Sequence, residues 1–257
     1  IIFLFYNTNS FGIENKILVK IEEDIITSID VENESKYLLL LNKNIKNLIQ
    51  NHLKIQMMKR IVLASSNKGK LREIRAVILD PSIELLHQTD LGVKDAEETG
   101  STFVENALIK ARNACEKTGL PSIADDSGLE VDALGGQPGI FSARYSNVSG
   151  PEADEANNQK LLSELAGVPI KERAARFYCA IAYLRFTADP TPLICLGSWE
   201  GSILQEPAGE NGFGYDPLFY VGTHKCSSAE LLPEIKNSIS HRALALKRFQ
   251  RLWPTRR

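Results

Sequence analysis

Long apolar runs are missing from this 257-residue chain. Its most apolar short stretches, Ile1 to Tyr6 and Tyr37 to Leu41, fall far below the roughly 20 residues that cross a bilayer as a helix, so no transmembrane helix and no membrane partner are expected. Cysteine is scarce. Cys115, Cys179, Cys195 and Cys226 are the only four, without CxxC or CxxH spacing, which excludes a disulfide scaffold and predicts a reducing, cytoplasmic setting. An excess of one charge is also absent: net charge is −2 and the basic residues form no dominant block. The electrostatic footprint of a dedicated nucleic-acid binder is therefore missing, and an anionic ligand needs a local pocket. What remains is an ordinary apolar fraction of 43% and a charged fraction of 24%, enough for a full core in one large domain or two small ones.

The chain has two parts of different texture. Residues 1–57 are rich in Ile, Asn, Lys and Leu, contain no proline and open with Ile. Their short apolar start lacks a basic region before it and a small-residue cleavage site after it, and acidic residues follow, so neither a secretory signal nor an organellar transit peptide fits. Two readings stay open: a weakly ordered or translated upstream segment, with Met57 or Met58 as the start, or a small added structural element. Residues 58–257 are expected to form the working domain.

From Lys59 onward the pattern becomes regular. Arg60 to Ala64 predicts a strand. A polar turn and a helix with Leu71, Ile74, Ile78 and Leu79 on one face follow, stopped by Pro81. Ile83 to Leu86 predicts a second strand, and Thr102 to Lys117 a helix, with Thr102 and Glu105 spaced as a capping box. A third strand is expected to end near Ala124. Later segments predict a helix over Glu152 to Leu165, long strands over Ala174 to Phe186 and Leu193 to Leu204, and a final helix after Ser240. Interspersed strands and helices indicate an α/β fold, and the two long neighbouring strands indicate antiparallel pairing within a mixed sheet.

Four segments carry candidate chemistry. Ser65-Ser66-Asn67-Lys68-Gly69-Lys70 lies between a strand and a helix, where free N–H groups, the positive helix end and polar side chains suit a polyphosphate. It lacks Walker A spacing, and taken alone it reads more readily as an ordinary capped turn with surface lysines. Asp125-Asp126-Ser127-Gly128 places two carboxylates at an expected strand end, able to gather a hard cation, or else forms an acidic β-turn. Glu97 and Glu98, ahead of the capped helix, either add a carboxylate to that cation or sit in a solvated loop. Asn106 and Lys110 share a helix face pointing to phosphates or to solvent. The third segment, Gly135 to Tyr145 with Gly209 to Pro217, offers glycines for close approach, rings at Phe213 and Tyr215, and an acceptor at Asp216; turn glycines with core aromatics are the alternative. Finally, KNSISHR brings Lys236, His241 and Arg242 to the start of the final helix, as ligand donors or as surface.

Taken in order, SSNKGKLREI, TDLGVKDAEETGSTFVENALIKA, ADDSGLEVDALGGQPGIFSARY, ARFYCAIAYLRF, PAGENGFGYDPLFYV and SISHRALALK resemble the family called inosine triphosphate pyrophosphatase-like, Ham1-like or RdgB-like, across residues 58 to about 252. The resemblance implies an elongated α/β domain with a mixed, twisted sheet and two lobes around a central nucleotide cleft, usually as a homodimer. It also implies Mg2+-dependent hydrolysis of ITP, dITP and XTP to the monophosphate and pyrophosphate, a cleansing of the nucleotide pool. By position it puts the phosphate loop on Ser65, Ser66, Asn67, Lys68, Gly69 and Lys70, the catalytic carboxylate on Asp126, and the metal on Glu97 and Asp126. Ser127 falls on a substrate contact, and the base pocket falls on Phe213, Gly214, Tyr215 and Asp216 with Lys236, His241 and Arg242. Residues 1–57 have no counterpart in the pattern.

Two rivals stand beside this reading: a Maf-type pyrophosphatase acting on other nucleotides, and a sensor that binds such triphosphates without cutting them. Deleting residues 1–57 is expected to leave folding and pyrophosphate release intact. A large loss of activity or of thermal stability in the shortened chain would make the extension part of the working protein.

Overall fold

The computed structural model describes residues 17–21, 24–27, 43–47, 59–78, 80 and 83–253. The chain divides into two units between Met58 and Lys59. In the first, strands β1 (Ile17–Ile21) and β2 (Asp24–Thr27) pair antiparallel, and residues 43–47 are helical.

The second unit is built on one seven-stranded sheet. In chain order its elements are β3 (Lys59–Leu63), α1 (Lys68–Val77), β4 (Ile83–His87), α2 (Phe103–Thr118), β5 (Ser122–Val131), α3 (Ala153–Glu164), β6 (Ala174–Leu184), β7 (Leu193–Ile203), β8 (Phe219–Val221), β9 (Cys226–Ser227), α4 (Pro233–Ile239) and α5 (His241–Leu252). The strand order is β4-β3-β5-β6-β7-β8-β9. Pairs β4·β3 and β3·β5 are parallel, and every later pair is antiparallel. The expected mixed α/β sheet is therefore present. Among the described residues no helix is long and apolar enough to cross a membrane.

Both faces of the sheet are covered. On one, Ile61, Leu63, Ile123, Ile181 and Tyr183 pack against Leu71 and Ile74 of α1 and against Leu246, Phe249 and Trp253 at the chain's end. On the other, Ala124, Ala180 and Ala182 are small enough to let α2 settle closely through Phe103, Ala107 and Ala111. A third cluster, Leu129, Phe177, Trp199 and Phe219 with Leu161 of α3 and Leu165 just after it, fills the far end. The long ladders of β5, β6 and β7 connect these cores. The capping box of α2 forms as expected: Glu105 N–H donates to Thr102 Oγ1 at 3.1 Å and Glu105 Oε2 accepts from Thr102 N at 3.0 Å.

Three expectations need correction. The third strand does not stop near Ala124. It runs on to Val131, because β6 pairs with it from Ser122↔Leu184 through Val131↔Ala175. Gly128 therefore lies in a strand and makes no sharp turn; its role is clearance, since a Cβ there would collide with Gly139 O and Ser142 Oγ. β6 ends at Leu184, where Asp189 accepts from the backbone N–H and guanidinium of Arg185 and closes the turn to β7. Lys236 is not on the final helix: α4 ends at Ile239, and Ser240, extended at φ −67° and ψ 161°, caps α5 by accepting from Ala243 N. Leu79 and Pro81 lie outside the described residues.

Helix α5 sits unusually close to β7. A Cβ on Gly197 would meet the carbonyl oxygen of His241 and lie 2.7 Å from Ala245 N. Backbone cannot rotate away as a side chain can, so Gly197→Ala is expected to destabilise by about 1–3 kcal/mol or more. Urea denaturation measures it, and an unchanged midpoint would contradict this seating of α5.

Candidate functional site

Strand β3 has parallel neighbours on both sides, β4 and β5. In open sheets such a switch point leaves a crevice beyond the carboxyl ends of the strands. The 65–70 loop occupies it. Asn67 caps α1, its Oδ1 accepting from Lys70 N at 3.0 Å, while Ser65 Oγ accepts from Asn67 N at 3.2 Å. Ser66 Oγ donates to Asp95 Oδ2 at 2.5 Å, and Asp95 also accepts from the buried Gln88. Lys68 is exposed. Gly69 is required for contact: a Cβ there would lie 2.6 Å from the Phe213 ring.

β5 outruns β3, which pairs with it only through Val62↔Ser122 and Leu63↔Ile123, and of its later residues Ser127 and Gly128 border the crevice. Successive strand residues point to opposite faces, and this separates the two aspartates. Asp125 turns toward α1 and α5. Its side chain is wholly buried, with Lys70 Nζ at 2.6 Å, Arg242 Nε at 3.0 Å and the Cys179 thiol donating at 3.0 Å. Burial works to raise its pKa, but the cations of Arg242 and Lys70 outweigh burial and hold it well below the usual carboxylate range. Asp126 turns toward α2, where Lys110 Nζ lies 2.5 Å from its Oδ1. Here burial prevails over Lys110 and Lys70, and the pKa is raised.

Lys110 also donates to Glu98 Oε1 at 3.0 Å, and Glu98 accepts from Arg144 at 2.8 Å. Glu98, not Glu97, is thus the acidic residue joined to Asp126 through Lys110. Glu97 is exposed and borders the same cavity as Glu98 and Lys110. Asn106 does not share the environment of Lys110: it is buried, and its Oδ1 accepts from Gly100 N at 2.8 Å, holding the loop ahead of α2.

On the other side, Asp216 organises the Gly-rich loop. Its Oδ2 accepts from Phe213 N at 2.8 Å and lies 2.6 Å from Lys236 Nζ, while Oδ1 accepts from Ser228 Oγ at 2.8 Å. The Phe213 ring lies 5.0 Å from Lys236 Nζ and 5.7 Å from the Arg242 guanidinium, an arrangement favoured by the ring quadrupole. Tyr215 is buried and its hydroxyl donates to Ser142 O at 2.9 Å. Arg242, only 2% exposed, has a carboxylate or hydroxyl on each nitrogen: Asp125 on Nε, Glu73 on Nη1 and Ser127 on Nη2. Three of a guanidinium's five donors are therefore committed within the protein. His241 stacks on Phe177 at 4.8 Å; burial, with Arg242 and Lys236 nearby, pushes its pKa well below the ordinary range, so the ring is neutral.

Two cavities result, and they adjoin. One, of about 1100 Å3 of empty volume including open solvent, is bordered by Ser65, Ser66, Glu97, Glu98 and Lys110. The other, about 600 Å3 on the same measure, is bordered by Ser127, Phe213, Tyr215, His241 and Arg242. Asn67, Lys70 and Ala143 border both.

The Ham1 family model matches residues 61–252. The chain belongs to the Ham1 family. It is 57% identical over 191 residues to a dITP/XTP pyrophosphatase of Shigella flexneri, covering 74% of this chain and 95% of that protein. To the dITP/XTP pyrophosphatase of Escherichia coli K12 it is 56% identical over the same shares. A HAM1 protein structure from Coxiella burnetii superposes with a TM-score of 0.71 at 50% identity, covering 77% of this chain and all of that one. The Staphylococcus aureus Ham1 structure gives 0.68 at 40% identity over the same shares.

For this Ham1-family chain, sequence reasoning overlooked Glu73, which pairs with both Lys236 at 2.8 Å and Arg242. Its one local sign was a position one turn beyond Lys70 on the same helix. Asp125→Asn leaves Lys70 and Arg242 without their shared charge and is expected to cost about 3–5 kcal/mol at neutral pH. Because the folded-state pKa is lowered, this stabilisation is full above the unfolded value of about 3.9 and disappears as pH falls through the folded value. Denaturation across pH 2–7 should show the wild-type advantage shrinking below about pH 4; a constant difference would contradict the ion-pair account.

Proposed function

We propose that this chain hydrolyses non-standard purine nucleoside triphosphates, dITP, XTP and ITP, to the monophosphate and pyrophosphate, cleansing the nucleotide pool. The observation that carries this is the pair of adjoining cavities, one polar and one ring-lined, with Lys70 bordering both. A triphosphate and a purine base need those two environments side by side, and the names of the close relatives support the same reading. Residues 58–257 are the proposed catalytic domain, working in the cytoplasm and as a homodimer.

In this reading the 65–70 loop holds the polyphosphate: Lys70 supplies charge, and the N–H groups at the start of α1 donate to phosphate oxygens. Asp126 accepts the proton of the water that attacks the α-phosphorus, and the bond to the leaving pyrophosphate breaks. Beside a cation the carboxylate stays ionised and able to take a proton from a water that the metal has made more acidic. Lys110 keeps that carboxylate in place and stays protonated, because burial, which works to lower its pKa, is outweighed by Asp126 and Glu98.

Mg2+ is the proposed cofactor, with Glu97 and Asp126 as protein ligands. Mg2+ is commonly held by one or two carboxylates together with substrate phosphate oxygens. The chemistry of the donors fits that habit: Glu97 and Glu98 border the polar cavity, and Asp126 is joined to Glu98 through Lys110. When bound, the ion supplies charge neutralisation and acidifies the water. On the base side, Ser127, Lys236, His241 and Arg242, which border the ring-lined cavity, are the proposed contacts of a 6-oxo purine, whereas the 6-amino group of adenine leaves donors opposed.

Pyrophosphate release from a panel of purine and pyrimidine triphosphates, with and without Mg2+, tests the proposal. Fast, Mg2+-dependent release confined mainly to dITP, XTP and ITP is expected, with Asp126→Asn folded but slowed by about 10²-fold or more. Release from pyrimidine nucleotides instead would favour the Maf-type activity, and binding without release would favour a sensor. A near-normal Asp126→Asn rate would remove Asp126 from the mechanism.

A further inference from the structure

Helix α3 buries polar groups where apolar ones would serve stability better. Leu161 and Leu165 anchor its C-terminal end in the core, but its N-terminal half buries Asn157 and Asn158. Asn157 has a local task, its Oδ1 accepting from Ser146 N at 2.7 Å. Asn158 reaches much farther along the chain. Its Nδ2 donates to Gly214 O at 3.0 Å, and one turn earlier Asp154 Oδ2 accepts from Gly214 N at 2.8 Å. Two side chains spaced i and i+4, on one helix face, thus hold the N–H and the carbonyl of a single residue.

That residue is in the left-handed region, at φ +61°, and lies between Phe213 and Tyr215. The opposite carboxamide atom, Asn158 Oδ1, is buried without a hydrogen-bond partner. An orphaned acceptor costs about 1–3 kcal/mol, so a purely structural position would be better served by an aliphatic side chain. Asp154, Gly214 and Phe213 all border the ring-lined cavity.

Resting on the base-pocket reading above, we propose that Asp154 and Asn158 are positioning residues for base recognition. By gripping both peptide groups of Gly214 they fix the Phe213 ring against Gly69 and beneath Lys236 and Arg242. Loss of either grip lets the ring swing and weakens hold on the base, leaving Asp126, Lys110 and the phosphate loop undisturbed.

Steady-state kinetics with dITP on the full chain test this. Asp154→Ala and Asn158→Ala are expected to raise KM about tenfold while kcat stays within about twofold, and inhibition by inorganic tripolyphosphate, which has phosphates but no base, is unchanged. Asp154→Asn, whose amide oxygen can still accept from Gly214 N, should restore the wild-type KM. Asn158→Asp, which at pH 8 turns a carboxylate on the Gly214 carbonyl, should not. A KM unchanged in both alanine variants overturns the proposal, as does a fall in kcat that tracks lost thermal stability, or an Asp154→Asn variant no better than the alanine. Phe213→Ala separates the two levels: if it raises KM while the alanine variants are silent, positioning alone fails; if it too is silent, the base-pocket reading fails with it.

Discussion

The carboxylate of Asp125 is the point on which the site depends. It draws together Lys70 from the first turn of α1 and Arg242 from the first turn of α5, with a thiol from β6 completing its shell. Two long cationic side chains buried beside one another repel; with a single anion between them they become a rigid unit. Glu73 balances the outer end of Arg242 and brings in Lys236, which continues to Asp216. The charges form a continuous chain across the cleft floor. Its geometry sets the phosphate side and the ring-lined side at once, because Lys70 borders both.

Much of this was legible in the sequence. Strand and helix periods located β3, α1, α2, β6, β7 and α5 to within a few residues, and the capping box of α2 was visible as Thr102 and Glu105. The short motifs identified most of the residues that border the cleft. What the sequence could not reveal was their division of labour. Asp125 and Asp126 are neighbours of identical chemistry, and only the continuation of β5 against β6 turns one inward to the cations and the other toward α2. The Asp-Ser-Gly run looks like a turn because those residue types favour turns; ten residues of antiparallel pairing overrode that preference.

Glu73 escaped for a different reason. Its partners lie 163 and 169 residues away along the chain, and no local spacing encodes a contact of that range. The same holds for the hold of α3 on Gly214. KNSISHR reads as the start of one final helix, whereas Ser240 both ends α4, which carries Lys236, and caps α5. That break lets Lys236 and Arg242 approach Glu73 from different helices.

The alternation along β5 also bears on how this chain can vary over generations. A strand tolerates many side-chain exchanges, but the loss or gain of a single residue ahead of Asp125 reverses every facing beyond it. Such a change would hand the cations the residue that belongs on the α2 side and leave an uncompensated acid among alanines. A one-residue change of length within the β5–β6 ladder therefore disrupts the site as surely as replacing Asp125, whereas a loop outside it absorbs extra residues without reversing any facing.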